Sequence, residues 1–291
     1  MRQAMPPPLS SDDTLQDGLR LMLGEGLDHL AAHLPGAEAG EMEAIHQMRV
    51  ALRRLRSTLR LFERHLEPVA ADGFDDALRG LGRALGAARD WDVFVVETLP
   101  AIRGDDPNGA EALDLLVEPA RQLRLAAHEA LGRALEAPRI RAVLDDLRLW
   151  AGAPVAFFPE EEAGRSLAKQ APRMLDRLAR RVRRRGRRLA HQDDGERHRL
   201  RKALKALRYG VQMLDVLYED AGTKSYRRAL GGLQDDLGQL NDAIAAAELA
   251  ARLPDLPGRT AIGRWSDTRR QAALEALPAS WHRFKAMKVF W

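Results

Sequence analysis

Two stretches of the sequence share one layout: 46-HQMRVALRRLR-56 and 198-HRLRKALKALR-208. In each stretch apolar residues recur at intervals of three and four, which places them on one face of an α-helix. Each stretch begins with a histidine and carries cations at matching positions. An amphipathic helix needs the apolar spacing, but it does not need a particular histidine followed by a row of cations. The repeated layout therefore indicates a shared origin and a shared task.

The similarity extends beyond these two stretches. A shift of 152 residues aligns them and then continues, without a gap, into the helix that follows each one. There LRGLGRALGAARD, which starts at Leu78, aligns with LGGLQDDLGQLND, which starts at Leu230. Two helices in one register favour a tandem duplication of a four-helix unit, each copy packing as a bundle. The sequence thus predicts an all-α fold of two four-helix bundles.

Helical periodicity also organises the rest of the chain, whereas strand signals are scarce. It predicts nine helices, at about 12–34, 40–66, 70–103, 108–136, 138–151, 163–190, 194–220, 223–253 and 256–289. The best internal boundary is AGAPVAFFPEEE, at residues 151–162. We therefore expect a disordered lead over residues 1–11, a first half over 12–155 and a second half over 156–291.

Composition limits the classes of protein that this chain can be. Its 291 residues are 45% hydrophobic and 30% charged, which is an ordinary globular balance. The chain has no cysteine, so disulfides and thiolate metal sites are excluded. No apolar stretch is long enough to span a membrane, and MRQAMPPPLSSDD lacks the apolar core of a signal peptide. We expect a cytoplasmic protein with no membrane partner and no cofactor.

The cations of the two stretches form a narrow row beside the apolar face of each helix. The first row consists of His46, Arg49, Arg53, Arg56 and Arg60, and the second of His198, Arg201, Lys205 and Arg208, with Lys202 and Arg54 flanking them. A solvated face is the ordinary interpretation of such a row. However, like charges three or four residues apart repel each other, and no acid lies three or four residues from Arg49, Arg53 or Arg56. The same holds for the matched cations, so the pattern favours an anionic ligand.

The length of the row indicates what kind of anion. Ten residues from His46 to Arg56 span about 15 Å of helix axis, which suits a chain of phosphates better than one phosphate. Arginine offers forked donors to phosphate oxygens and keeps its charge at cellular pH. Each histidine either contacts the ligand, in which case binding tightens as pH falls through about 6.5, or is structural and bonded to a carbonyl or acid.

Other charged residues are candidates for supporting roles. Residues 173–188 contain nine arginines and one acid, a concentration typical of proteins that bind polyanions. We expect peripheral capture of ligand there, with a solvated face as the alternative, from Arg173, Arg177, Arg180, Arg181 and Arg184. The matched pair Asp90 and Asp242 either orients arginines of the neighbouring helix or forms ordinary ion pairs.

These motifs resemble a known family, the CHAD domain. The resemblance rests on HxxRVxxRRLR, ARDWDV, HRLRKALKALRY and LQDDLGQLND in this order, and it reaches the aromatic end WHRFKAMKVFW. It implies two four-helix bundles related by a pseudo-two-fold axis, with a basic groove or pore between them. It also implies binding of inorganic polyphosphate and association with polyphosphate granules. Carried onto this chain, the family's motif histidines and cations fall on the two rows.

Catalytic signals are weak by comparison. The sequence has no phosphate-binding G-x-x-x-x-G-K-[ST] loop, no H-E-x-x-H and no G-x-S-x-G, and it offers no convincing set of metal ligands. It also lacks the E-x-E-x-K strand of the CYTH triphosphatase domain that often accompanies CHAD. We therefore expect a binding module for polyphosphate, or for phosphate and sulfate ions in the same groove. A nucleic-acid-binding protein and a polyphosphate-processing hydrolase remain the alternatives.

Overall fold

The computed structural model describes residues 8–66, 68–106, 109–152, 158–218 and 222–291. Within these ranges the fold is all-α, as predicted, with no strand beyond one isolated β-bridge between Thr14 and Ser166. The α-helices, in chain order, are α1 Leu15–Glu38, α2 Met42–Phe62, α3 Pro68–Val93, α4 Leu99–Asp105, α5 Ala110–Glu136, α6 Pro138–Gly152, α7 Glu160–Ala163, α8 Leu167–Arg185, α9 Asp194–Leu214, α10 Gly222–Ala250 and α11 Gly258–Ala286.

Polar side chains fix where several of these helices begin. Thr14 and Asp17 form a capping box at α1, and Asp193 and Glu196 form one at α9. In each box the two side chains accept hydrogen bonds from backbone N–H groups that the helix leaves without partners. At α8 the side chain of Ser166 accepts from the N–H of Lys169. These caps fix the register of the helices that follow them.

The predicted helix at 70–103 is interrupted in the structure. α3 ends at Val93, a π-helical turn covers Phe94–Thr98, and α4 starts at Leu99. The N–H of Leu99 bonds to the carbonyl of Phe94, five residues back. Pro100 follows at the second position of α4, where its missing N–H removes a rung of the regular ladder. The periodicity gave no sign of this local change.

Two central helices organise the molecule. α2 packs between α1 and α3, α9 packs between α8 and α10, and α2 and α9 contact each other. Thr58 Oγ1 lies 3.6 Å from Met213 Sδ, and Arg54 interacts with Tyr209 one turn earlier. Because these contacts advance in the same direction along both helices, α2 and α9 run parallel, side by side.

Apolar side chains join the two halves at two places. The larger cluster contains Met48 and Leu55 of α2 together with Leu204 and Leu207 of α9, so one core crosses the predicted boundary between the halves. A second cluster joins Trp91 and Phe94 to Ala246, Ala250 and Ile262, and the guanidinium of Arg252 lies 5.3 Å from the centre of the Trp91 ring. This second cluster ties the end of α3 to the end of α10.

The 152-residue shift has geometric counterparts. It carries the first residues of α1 and α2 onto those of α8 and α9. The N–H of Leu15 donates to the carbonyl of Arg165 at 2.8 Å, and the N–H of Leu167 donates to the carbonyl of Asp13 at 2.9 Å. The shift matches Asp13 with Arg165 and Leu15 with Leu167, so each half donates the same backbone hydrogen bond to the other. The duplication itself stays an inference from the sequence.

The predicted boundary between the halves and the predicted disordered lead have different outcomes. The boundary at 155/156 lies outside the described residues, as do residues 1–7 of the predicted lead. Within the remainder of that lead, Leu9 is buried in the larger cluster and the N–H of Ser10 donates to Asp13 Oδ2 at 2.8 Å. Order therefore begins before residue 12, because an apolar side chain anchors the segment. In the described part of the chain, no helix combines the length and apolar character needed to cross a membrane.

Close packing of α11 on α5 gives a test of this architecture. A methyl group on Gly258 would collide with the backbone carbonyl of Ala112, which has little freedom to move. We expect Gly258→Ala to lower the free energy of unfolding by about 1–3 kcal/mol, as overpacking does, in urea denaturation. Gly263→Ala on the same helix meets no atom within 4 Å and should instead stabilise by up to about 1 kcal/mol. Equal stabilities of the two variants would contradict this packing.

Candidate functional site

The cation rows of α2 and α9 face each other. Arg201 on α9 interacts electrostatically with Arg49 and Arg53 on α2, and so does Lys205. α3 and α10 flank this pair of helices. We define the basic groove by the four cations Arg49, Arg53, Arg201 and Lys205, with α2 and α9 as its floor and α3 and α10 as its walls.

An acid from the first wall holds Arg49. Its Nη1 donates to Asp90 Oδ1 at 3.0 Å and to the carbonyl of Gly86 at 2.9 Å. The side chain of Arg49 is 24% exposed and that of Asp90 is 52% exposed, so the pair lies at the edge of the groove. Asp90 therefore holds one arm of the guanidinium, an arrangement that fits both an orienting role and an ordinary ion pair.

The second wall repeats this arrangement more loosely. Arg201 Nη2 lies 4.0 Å from Asp242 Oδ1, and Asp242 is 74% exposed. Burial lowers the pKa of the Arg201 guanidinium, Asp242 opposes that shift, and Arg53 and Arg49 add to it. Arg201 also interacts with Asp90 across the groove. The two acids thus face the same group of cations.

Lys205 lies at the centre of the groove and is the most perturbed cation there. Burial, together with Arg53, Arg201 and Arg49, lowers the pKa of its ammonium group to about 7, and Asp242 only partly opposes this. An unperturbed lysine titrates near 10.4. Loss of solvent and repulsion from three arginines therefore favour the uncharged amine of Lys205 at neutral pH in the free protein.

The two histidines begin the rows at matching places, each as the fifth residue of its helix. His46 is half-buried, and burial followed by the charge of Arg89 lowers its pKa. His198 is more exposed, and burial followed by the charge of Lys202 lowers its pKa, whereas the hydrogen bond that its ring donates to the side chain of Asn241 raises it. In the free protein both imidazoles therefore become protonated only at a pH below their ordinary pKa of about 6.5.

The remaining predicted cations are distributed along and beside the rows. Arg56, Arg60 and Arg208 are half-buried on the two floor helices, and Lys202 is exposed. Arg54 is half-buried beside Tyr209 of α9 and Glu25 of α1, and burial lowers its pKa. Its surroundings are therefore different from those of the groove cations.

The arginines of α8 divide into two groups. Arg173, Arg180 and Arg184 are exposed, and Arg180 lies 3.5 Å from Asp176. Arg177 instead donates through Nη2 to the carbonyls of Arg60 and Leu61, at 3.2 and 2.5 Å, so it caps the last turn of α2. Arg181 lies 3.4 Å from Glu63 just beyond that helix. Arg177 and Arg181 are thus engaged by α2 and the residue just beyond it, whereas Arg180 pairs with an acid of its own helix.

Sequence reasoning missed the residues next to the histidines. Arg89 neighbours His46 and Asn241 neighbours His198, and the 152-residue shift matches these two positions. The aligned stretches that start at Leu78 and Leu230 already contain both residues, but the two differ between the halves and so gave no matched signal. Sequence reasoning also missed Asp92, which is fully buried and accepts from Arg124 Nε at 2.7 Å, with His128 Nε2 at 2.8 Å. That network secures α3 to α5 near the groove wall.

A cleft opens beside the second histidine, between α9 and α10. Its volume is about 330 Å³, and its lining includes Arg197, His198, Arg201, Asn241 and Ile244. It adjoins the groove through Arg201. Nowhere in the described ranges do three or more His, Asp or Glu side chains come together as a set of metal ligands.

This geometry agrees with a family-model match. The model for the CHAD domain matches residues 21–251, which include both floor helices, α3 and all of α10. The chain belongs to the CHAD family. No curated protein matches it.

Two solved structures are similar to this CHAD chain over almost its whole length. The crystal structure of the CHAD domain from the plant Ricinus communis has a TM-score of 0.77 and 29% identity, and the match covers 98% of this chain and 96% of that one. PptA from Streptomyces chartreusis has a TM-score of 0.68 and 19% identity, with 93% and 100% covered. The likeness to PptA shows the fold alone.

The pKa of Lys205 provides a test of whether the two cation rows face each other. Arg53→Gln removes a like charge, so the ammonium form becomes easier to maintain and the pKa of Lys205 should rise from about 7 towards its ordinary value. NMR of ¹³C-lysine-labelled protein reads this titration directly. Arg180→Gln, an exposed change on α8, should leave it where it was. Titration of Lys205 near 10.4 in the unaltered protein would contradict the described groove.

Proposed function

We propose that this CHAD protein binds inorganic polyphosphate along the basic groove. The observation that carries the proposal is the pairing of two cation rows on parallel helices. Four cations face two acids, and burial together with the charges of three arginines lowers the pKa of Lys205 to about 7 despite the opposing charge of Asp242. A polyanion supplies the missing negative charge, restores the proton on Lys205 and removes the repulsion between the rows.

The shape of the groove favours a linear ligand over a single phosphate. Because α2 and α9 are parallel, their rows start at the same end and run together for about 15 Å. Arginine side chains from both helices can then contact successive phosphates from two sides, with forked charge-assisted hydrogen bonds. Membership of the CHAD family points to the same polymer. Phosphate or sulfate ions are expected to occupy parts of the groove more weakly.

The acids on the walls support this function as positioning residues. Asp90 holds one arm of Arg49 against α3 before any ligand arrives. Arg49 therefore loses less conformational entropy when it binds phosphate. Asp242 stands in the matched place for Arg201. We place His46 and His198 at the entry end of the rows, and the exposed arginines Arg173, Arg180 and Arg184 in long-range attraction of the polymer.

Nucleic acid fits the groove less well. Proteins that bind single strands commonly stack bases on exposed aromatic rings. The chain has only 5% aromatic residues, and none of the large apolar side chains exposed in the described part is aromatic. Nucleic acid of equal charge is therefore expected to bind more weakly than polyphosphate.

We propose a binding role rather than hydrolysis. Hydrolysis of a phosphoanhydride usually uses a metal ion and a base, and the proposed groove presents cations that hold phosphate rather than groups that activate water. Release of phosphate from polyphosphate with Mg²⁺ or Mn²⁺ would revive the hydrolase alternative. Association with cytoplasmic polyphosphate granules, or regulation of a partner enzyme there, is the physiological role that this binding would serve.

The groove assignment predicts a steep dependence of affinity on salt. Arg53→Ala/Lys205→Ala removes one central cation from each row and should weaken polyphosphate binding about 100-fold at low salt, since charge-assisted bonds contribute about 1.5–3 kcal/mol each. The slope of log affinity against log salt should become shallower by roughly one to two, because fewer counterions are released. Fluorescence anisotropy with labelled polyphosphate at several salt concentrations measures both.

The matched control removes two exposed cations from other surfaces. Lys169→Ala/Lys288→Ala removes the same number of cationic side chains as the groove variant, and both lysines are exposed. It should keep near-normal affinity and salt slope. Equal loss in the two double variants would show that binding follows net charge rather than the groove. Competition by DNA, RNA or heparin as strong as that by polyphosphate of equal charge would favour the nucleic-acid alternative.

Binding should also take up protons. A bound polyanion raises the depressed pKa values of Lys205, His46 and His198, so the complex holds more protons than the free protein and affinity rises as pH falls. Near pH 8 free Lys205 is mostly neutral, so Lys205 dominates the uptake. Calorimetry in two buffers of different ionisation enthalpy measures it. Lys205→Arg should abolish the uptake at pH 8, and zero uptake in the unaltered protein would contradict the proposed contact.

A further inference from the structure

The chain uses lysine at one place where its own pattern uses arginine. It contains 40 arginines and only six lysines, and the residue of the first half that matches Lys205 is Arg53. The other five lysines are exposed, whereas Lys205 is half-buried in the centre of the groove. The second row thus carries, at its middle position, the kind of cation that can release its proton and act as a nucleophile.

The surroundings of Lys205 favour the uncharged amine. Arg49 and Arg53 face it from α2, Arg201 lies one turn before it on α9, and Asp242 of α10 is the acid that acts on it. Burial and these three arginines depress its pKa to about 7. Solvent-exposed lysines are almost entirely protonated at this pH and therefore react slowly with electrophiles.

We propose that Lys205 is a site of self-acylation by acyl phosphates, small metabolites that join a carboxylic acid to a phosphate. The arginines that surround the amine bind the phosphate end and place the acyl carbonyl beside it. This inference rests on the proposed function in one respect, that the groove binds phosphate groups.

The reaction balances without a further reactant. The lone pair of the Lys205 amine attacks the carbonyl carbon, and the bond from that carbon to the phosphate oxygen breaks. Inorganic phosphate leaves with the electron pair, stabilised by the neighbouring guanidinium groups, and the extra proton on nitrogen passes to solvent. The product is an amide at Lys205, which carries no charge. The acyl donor is thereby consumed, and one of the four groove cations is lost.

Such a modification would regulate the groove. An acylated Lys205 cannot regain a proton when a polyanion arrives, so the energy of that charge interaction is lost. Bound polyphosphate, in turn, would cover the amine and keep it protonated, which blocks acylation. The two ligands therefore compete, and the acylation state of Lys205 would record whether the groove was empty when acyl phosphate was abundant.

Peptide mass spectrometry after incubation with acetyl phosphate at pH 7.5 tests the proposal. With six lysines in the chain, every site can be followed at once, and the exposed Lys169, Lys202 and Lys288 serve as internal controls. We expect Lys205 to acetylate at least tenfold faster than these, and the advantage to disappear in the unfolded protein. A neutral acetyl ester should show a smaller preference for Lys205, because arginines do not attract it. Rates at Lys205 within threefold of the exposed lysines would overturn the proposal.

A functional measurement separates this inference from the proposed function. Pretreatment with acetyl phosphate should weaken polyphosphate binding by the unaltered protein about tenfold. Lys205→Arg installs the residue of the matched position, which does not acylate, and its affinity should be the same before and after pretreatment. If polyphosphate binds but Lys205 stays unmodified, the acylation inference alone fails. If Lys205 is acetylated rapidly but polyphosphate does not bind or protect it, the proposed function fails instead.

Discussion

Repulsion between the cations of α2 and α9 is the constraint around which this fold is arranged. Two helices whose facing cations repel each other would separate in water if nothing else held them. They stay side by side because Met48, Leu55, Leu204 and Leu207 belong to one apolar core beneath the groove. Burial of this apolar surface offsets the electrostatic cost, and burial together with the three arginine charges lowers the pKa of Lys205.

Much of this arrangement could be predicted from the sequence, because periodicity and internal repetition carry it. The spacing of apolar residues located the helices, and the 152-residue shift located the two rows. The sequence of either helix alone could not show that the two cation rows face each other, since this depends on packing between distant segments. The π-helical turn at Phe94–Thr98 and the capping role of Arg177 were missed for a similar reason: each depends on a backbone contact that leaves no periodic trace.

The two halves match in position, but they differ in chemistry at two places in or beside the groove. Arg53 corresponds to Lys205, and Arg89 corresponds to Asn241. Each change replaces a permanent charge in the first half with a group that is titratable or neutral in the second. At these two places the first half therefore presents a fixed positive charge and the second half does not. Two halves that match in position thus present unlike sides to the groove.

The second apolar cluster has a consequence for how the chain reaches its folded state. Trp91 and Phe94 belong to one apolar cluster with Ala246 and Ala250, so this cluster forms only after residues far apart in sequence have found each other. Contact between α2 and α9 likewise joins residues that are far apart in sequence. We expect docking of the halves to be a late, slow step of folding, accelerated by salt, and accelerated far more by short polyphosphate acting as a template.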